Sequence, residues 1–299
     1  MSAPDPAYAL ALLTLDGVGR ATAHRVLAHF PTPEALRAAP REQVLLRLRG
    51  IPRAADLTAR LLDGPTLDAA LAAGQATAAP LLERRITLLT PGHEHWPPGV
   101  DALGRAERPV VLYAYGHTAV LRQPTAAILA RGPLPSAPYE ASQTLAGRLM
   151  AAGVVVVSAL RPGFDVALHR LAAGAGRPGI AVAPCGLGRV EGSVRPGATA
   201  LIRAGGVLLS PFPMEHGPFE HDDRERALLQ AALARAVAAF APPPDSSELR
   251  ALKWAAGAGR SSFLDPGPEP PVFPQGVLPL DGPADLDVVV AAARGPEPG

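Results

Sequence analysis

Thiols, lysines and aromatic rings are scarce in this sequence. One cysteine, Cys185, and one lysine, Lys253, occur in 299 residues. A single thiol can form no intrachain disulfide and no multi-thiolate metal site, which suits a reducing compartment. Aromatics are only 4% of the chain, so the core must be built mostly from Ala, Val and Leu. No apolar run approaches the roughly 20 residues that a membrane-crossing helix needs. Met1 to Pro6 has no basic stretch leading into an apolar core, so no secretory signal is expected. These absences lead us to expect a cytoplasmic chain without membrane contact.

Hydrophobic residues, in contrast, make up 48% of the chain, and its length allows one large domain with a smaller one. All but one of the 28 basic residues are Arg. With so much Ala, Pro and Gly beside them, this reflects GC-rich coding, and a single Arg need not be functional. The net charge of +1 conceals an asymmetry. Residues 101–210 carry 11 Arg against 5 acids, whereas residues 211–299 carry 7 basic groups against 13 acids. A basic middle followed by an acidic end gives a polarised field.

Residues 1–80 read as a small helical domain. Ala7 to Leu15 and Arg20 to Phe30 have helical apolar spacing, interrupted by Asp16-Gly17-Val18-Gly19. Thr32-Pro33-Glu34 is a helix start, with Thr32 as cap and Pro33 at the first position. Leu48 to Arg53 is a weaker second copy of the interruption. Helix, Gly-Val-Gly, helix is the pattern of a helix-hairpin-helix module. Gly17, Gly19 and Arg20 could then meet phosphate oxygens through outward N–H groups, or the glycines could simply make a tight turn.

Residues 81–265 alternate short apolar strands with helices. Strands are expected at 86–89, 110–113, 126–130, 154–158, 180–183, 207–210 and 236–240. Helices fit between them near 139–152, 165–175, 197–205, 222–235 and 246–258. This is the mark of a Rossmann-like, doubly wound, mostly parallel α/β sheet. Residues 266–299 read as a Pro/Gly-rich tail with at most one short element around Asp285 to Ala293 and disordered last residues.

In such sheets ligands sit beyond the C-terminal strand ends, where helix N-termini point N–H groups at anions. Arg131, Arg161 and Arg189 each follow an expected strand, a set that suits a phosphate chain. No nucleophile stands with a base, so no catalytic residue is expected. His93-Glu94-His95 lacks a third ligand, so no metal and no cofactor is expected. Cys185 reads as a small buried residue, and Asp165 with His169, four apart on a helix, as a structural pair. Asp222 and Asp223 could cap a helix N-terminus. Trp96 and Tyr139 could stack on bases or serve packing.

Four stretches resemble one family. Ala152-Gly153-Val154-Val155-Val156-Val157-Ser158-Ala159-Leu160, followed by Gly163-Phe164-Asp165-Val166-Ala167-Leu168-His169-Arg170, is the longest. Gly179 to Val190, Gly205 to Pro213 and Pro109 to Gly116 are the others. Together they are similar to the DNA-processing protein A (DprA/Smf) family. The resemblance covers most of residues 8–265 and implies a Rossmann-like domain, single-stranded DNA binding, a homodimer, and loading of the RecA recombinase during natural transformation and homologous recombination. The site it implies is Arg131, Ser136, Ser158, Arg161, Gly163, Arg170, Arg189 and Arg224.

The chain also departs from the family's pattern. The loop Ala130 to Glu140 keeps one Arg, and two basic positions near the next site read His221 and Asp222, with Arg224 in register. Carboxylates repel phosphates and reduce the counterion release that drives binding. Weaker strand binding or a shifted surface follows. Two alternatives stand beside a DNA-handling mediator. One is a degenerate paralogue kept for protein contacts. The other is a phosphoribohydrolase-like enzyme, whose Pro-Gly-Gly-containing phosphate loop the sequence lacks.

Overall fold

The computed structural model describes residues 3–268 and 273–295. The expectation of disorder at the last residues falls outside the described part. Contacts divide the chain into two units, Met1–Trp96 with Leu103–Tyr113, and Pro97–Ala102 with Ala114–Gly299. The first unit thus extends past residue 80 to take in strand residues. Among the described residues no helix is long and apolar enough to cross a membrane.

The first unit holds α1 (Pro6–Thr14), α2 (Arg20–His29), α3 (Pro33–Ala38), α4 (Arg41–Arg47), α5 (Ala54–Leu62) and α6 (Gly64–Glu83). It also holds β1 (Ile86–Leu89) and the start of β2 (Leu112–Gly116). The starts are written in the sequence. Asp5 accepts the Ala7 N–H at 2.6 Å, Thr32 that of Ala35 at 3.1 Å, and Asp63 that of Thr66 at 3.1 Å, each relieving a donor the helix leaves unpaired. α1 lies against α6 through Gly74, where a Cβ would fall 2.2 Å from the Ala7 carbonyl oxygen. Only glycine allows that approach.

The second unit contains β3 (Thr125–Leu129), α7 (Ser136–Ala151), β4 (Val155–Ala159), α8 (Phe164–Gly174), β5 (Gly179–Val182), α9 (Arg195–Arg203) and β6 (Val207–Ser210). It continues through α10 (Asp222–Leu233), β7 (Ala236–Phe240), α11 (Ser247–Gly257), β8 (Ser261–Asp265), β9 (Val277–Pro279) and α12 (Pro283–Arg294). Its strands run in the order β6-β5-β4-β3-β7-β8-β9. Every pairing among them is parallel, with Thr125 opposite Val155, Ala126 opposite Ala236 and Ala236 opposite Ser261. β3, β4 and β7 are buried along their whole length, which is why Val154 to Val157 shows no alternation.

Alternate residues such as Ile128, Val156, Ala238 and Phe240 join α7, α8, α9 and α12 in one core cluster. α10 and α11 pack on each other and on the sheet. The result is the doubly wound α/β architecture expected from the sequence. Two strands were not expected, β8 and β9, whereas α12 falls on the one short element expected around Asp285 to Ala293. Leu286, Val289 and Ala293 of α12 are part of the core cluster rather than a separate tail.

Candidate nucleic-acid interface

The chain leaves β3 toward β4, β5 and β6 on one side and returns to β7 on the other. The strand order therefore reverses between β3 and β7, and the crevice beyond their C-terminal ends is where this architecture places ligands. Here that crevice is filled by side chains of opposite charge.

Arg161, just after β4, is only 19% exposed. Its Nε donates to Asp165 Oδ2 at 2.8 Å, its Nη1 to Glu248 Oε1 at 3.1 Å, and its Nη2 to the Ala130 carbonyl at 2.6 Å. Burial alone would lower its pKa. Asp165, Glu248 and Asp223 outweigh that and hold the guanidinium charge more firmly than in water.

Behind it Arg226 is fully buried. Arg226 donates to Asp223 Oδ1 at 3.1 Å, to Glu248 Oε1 at 2.6 Å, and to Gln230. Arg131 reaches Asp223 Oδ2 at 3.5 Å while remaining 42% exposed. Sequence reading missed Arg226 and Glu248. The available signal was spacing: Asp223, Arg226 and Gln230 are three and four apart along one face of α10.

Ser158, expected to meet a phosphate, faces inward instead. It is fully buried, and its hydroxyl donates to Asp165 Oδ1 at 2.6 Å. Its role is to orient the carboxylate that holds Arg161. Asp165 also accepts the Ala159 N–H at 3.2 Å, and His169 Nε2 donates to the Ala159 carbonyl at 2.7 Å. Asp165 and His169 thus act on one residue, Ala159, the carboxylate on its N–H and the imidazole on its carbonyl, rather than on each other. Burial lowers the His169 pKa and keeps the ring neutral.

The glycine N–H groups of the loop after β5 are taken up within the chain. Gly186 N–H donates to the His216 carbonyl at 2.8 Å and Gly188 N–H to that of Met214 at 2.9 Å. Arg189 pairs with Glu215 at 3.0 Å on the surface. Cys185 is buried, and its thiol is pushed up to about 11 by burial, then by Asp222 and Glu191. That keeps it protonated and unreactive. Asp222 does not cap α10. Its carboxylate reaches back to accept the Phe219 N–H at 2.9 Å and bonds His216 Nε2 at 3.0 Å.

Two features of this edge remain open to a ligand. α7 begins at Ser136 and α8 at Phe164, and both starts line a cleft of about 520 Å³ with Tyr139 at its side. Gly163, at φ +83°, supplies the left-handed turn into α8. Tyr139 meets Phe164 edge-on at 6.3 Å. After β6 a ladder of rings follows: Phe212 stacks on His216 at 4.6 Å, His216 meets Phe219 edge-on at 5.2 Å, and Phe219 stacks on His221 at 5.6 Å. Phe219 is 55% exposed. Sequence reading passed over this ladder, although rings recur at 212, 216, 219 and 221 in a Pro/Gly-containing loop. Arg170 and Arg224 are exposed on α8 and α10.

In the first unit Gly17 stands at φ +81°, with a Cβ there 3.1 Å from Leu57, and Gly19 is extended at the start of α2. Arg60 pairs with Asp16 across this hairpin at 3.1 Å, and Arg20 Nη1 reaches the Glu107 carbonyl at 3.4 Å. Among the described residues no group of three or more His, Cys, Asp or Glu is placed to hold a metal ion.

Residues 87–277 match the sequence profile described as DNA recombination-mediator protein A. The chain belongs to that family. The structure is similar to that of DNA processing protein A (DprA) from Streptococcus pneumoniae, with a TM-score of 0.60 at 16% identity over 91% of this chain and 98% of that one. It is also similar to DNA processing protein A from Helicobacter pylori, described for its unique single-stranded DNA binding mode. There the TM-score is 0.52 at 23% identity over 60% of this chain and 80% of that one. No curated protein matches the chain in sequence. For this member of the family, these likenesses establish a shared fold.

Proposed function

We propose that the chain binds single-stranded DNA along the C-terminal edge of its parallel sheet. The observation that carries this reading is the cleft into which α7 and α8 both open. Two helix N-termini at one cleft attract a phosphate, against the single carboxylate of Glu140 in its lining, and Ser136, Gly163 and Tyr139 supply a hydroxyl, a backbone turn and a ring. The exposed Phe219 and His221 rings offer bases a stacking surface that tolerates any sequence. Arg131, Arg170, Arg189 and Arg224 add charge at the rim, while Arg161 and Ser158 support it from within. The reading draws also on the Helicobacter pylori relative, whose binding of single-stranded DNA is described.

In this reading the protein is a cytoplasmic, non-enzymatic mediator acting in DNA uptake and homologous recombination. It protects single strands as a homodimer and passes them to the RecA recombinase, with Gly17, Gly19 and Arg20 of the hairpin as a secondary backbone contact. A second reading, a family member kept for protein contacts, is favoured by one observation: Arg131, Arg161 and Arg189 all ion-pair with carboxylates.

Fluorescence anisotropy of labelled oligothymidine at two salt concentrations separates the two readings. Binding that weakens with salt and falls in Phe219→Ala supports strand binding. No binding at low salt favours the second reading.

A further inference from the structure

The first unit contains a concavity of about 490 Å³ whose charged lining is entirely basic. Three separate segments supply it. α2 contributes His24, Arg25 and His29, the end of α4 and the turn after it Arg47 and Arg49, and the stretch before β2 Arg105 and Arg108. Among the described residues no acidic side chain lines it.

General arginine richness does not account for this grouping. Elsewhere in the same unit Arg37, Arg53 and Arg60 each ion-pair with an aspartate, Asp68, Asp56 and Asp16. Among the described residues no carboxylate ion-pairs with Arg25, Arg47, Arg49 or Arg105. Helix ends account for it only in part. Arg47 and His29 stand in last turns, where a cation is favoured, but Arg49 and Arg105 do not.

The hollow is also fixed in shape. Arg25 Nη1 donates to the Arg49 carbonyl at 2.7 Å, and His24 Nε2 to that of Arg108 at 3.1 Å, so the three segments are tied together around it. His29 registers the combined field. Its pKa is lowered by desolvation, then by Arg47, Arg25 and Arg105.

Like charges held in one hollow repel unless an anion joins them. Guanidinium groups with their planar forks are the side chains best matched to phosphate oxygens. We propose that this hollow of the helical unit is a phosphate-binding site, distinct from the sheet edge and from the Gly17–Gly19 hairpin. The phosphate comes either from a DNA strand or from a free nucleotide, and the two sources are distinguishable by experiment.

The test uses the full chain and Arg47→Glu/Arg105→Glu, two exposed positions, with circular dichroism to establish that the variant is folded. Calorimetric titration with inorganic pyrophosphate and anisotropy with 5′-phosphorylated oligothymidine are the two arms. Loss of pyrophosphate binding by tenfold or more, with oligothymidine binding unchanged or absent in both proteins, identifies a free-nucleotide site. Tenfold weaker oligothymidine binding in the variant identifies strand phosphate as the source. Phe219→Ala, which removes the ring at the sheet edge, leaves pyrophosphate binding unchanged if the hollow is the site. If neither probe distinguishes the folded variant from the parent, the proposal is overturned.

Discussion

Arg226 Nη2 donates to Glu248 Oε1 at 2.6 Å, and neither side chain is exposed to solvent. Glu248 Oε1 also accepts from Arg161 at 3.1 Å, so one oxygen joins α10, α11 and the loop after β4. Glu248 Oε2 is buried with no hydrogen-bond partner. The pair lies where the strand order reverses, and it turns a ligand crevice into a polar core. Replacing Glu248 with Ala takes one shared carboxylate from two guanidinium groups and leaves them Asp165 and Asp223. The cost should therefore lie at or below about 3–5 kcal/mol, that of breaking a buried pair outright. The expected result is a lower urea midpoint with little change in slope. Arg226→Met with Glu248→Leu removes both charges, and its midpoint is expected to lie above that of Glu248→Ala.

Arg161 separates a structural role from a binding one. Three of its donors are already bonded to Asp165, Glu248 and the Ala130 carbonyl. In Arg161→Ala the melting temperature is expected to fall sharply, with oligothymidine affinity at low temperature changed less than threefold. A large loss of affinity in a fully folded variant would return Arg161 to the DNA-contacting surface. Arg131→Ala, at an exposed position, should show the opposite balance.

The difference between these two arginines shows what was legible in the sequence. Strand positions such as Val207–Ser210 and Ala236–Phe240 were, because unbroken apolar runs between turn signals leave few alternatives. The Thr32 cap was legible because cap and Pro33 are local. The partners of Arg161 were not. Glu248 lies 87 residues away and meets it only because β7 returns beside β3. Ser158 looked available because it ends a strand, but whether a strand-end hydroxyl faces outward depends on which side chain covers it. Asp165 does. β8 escaped notice because Ser261-Ser262 gives its start a polar look, although Ser262 is buried.

Phe219 presents its ring to solvent between His216 and His221. A ring that stacks on a base contributes about 1–3 kcal/mol, so Phe219→Ala should weaken oligothymidine binding roughly five- to hundredfold. The slope of log affinity against log salt should not change, because no phosphate contact is removed. Thermal stability should stay within about 0.5 kcal/mol, as for other exposed positions. A reduced salt slope would place the ring's effect on the arginines beside it instead.

His169 gives the fold an acid-sensitive point. Its ring is fully buried, donates to the Ala159 carbonyl at 2.7 Å, and has its pKa lowered chiefly by burial. The unfolded chain therefore takes up this proton at a higher pH than the folded one. The stability linked to His169 is full above the unfolded value near ~6.5 and falls as pH drops toward the folded value. Melting temperatures measured from pH 8 to pH 5 should decline through the lower half of that range. His169→Gln keeps a donor for Ala159 but cannot titrate, so its curve should start lower and fall less steeply. Parallel curves for parent and variant would show that other groups set the acid limb, and that the imidazole serves only to hold the peptide between β4 and α8.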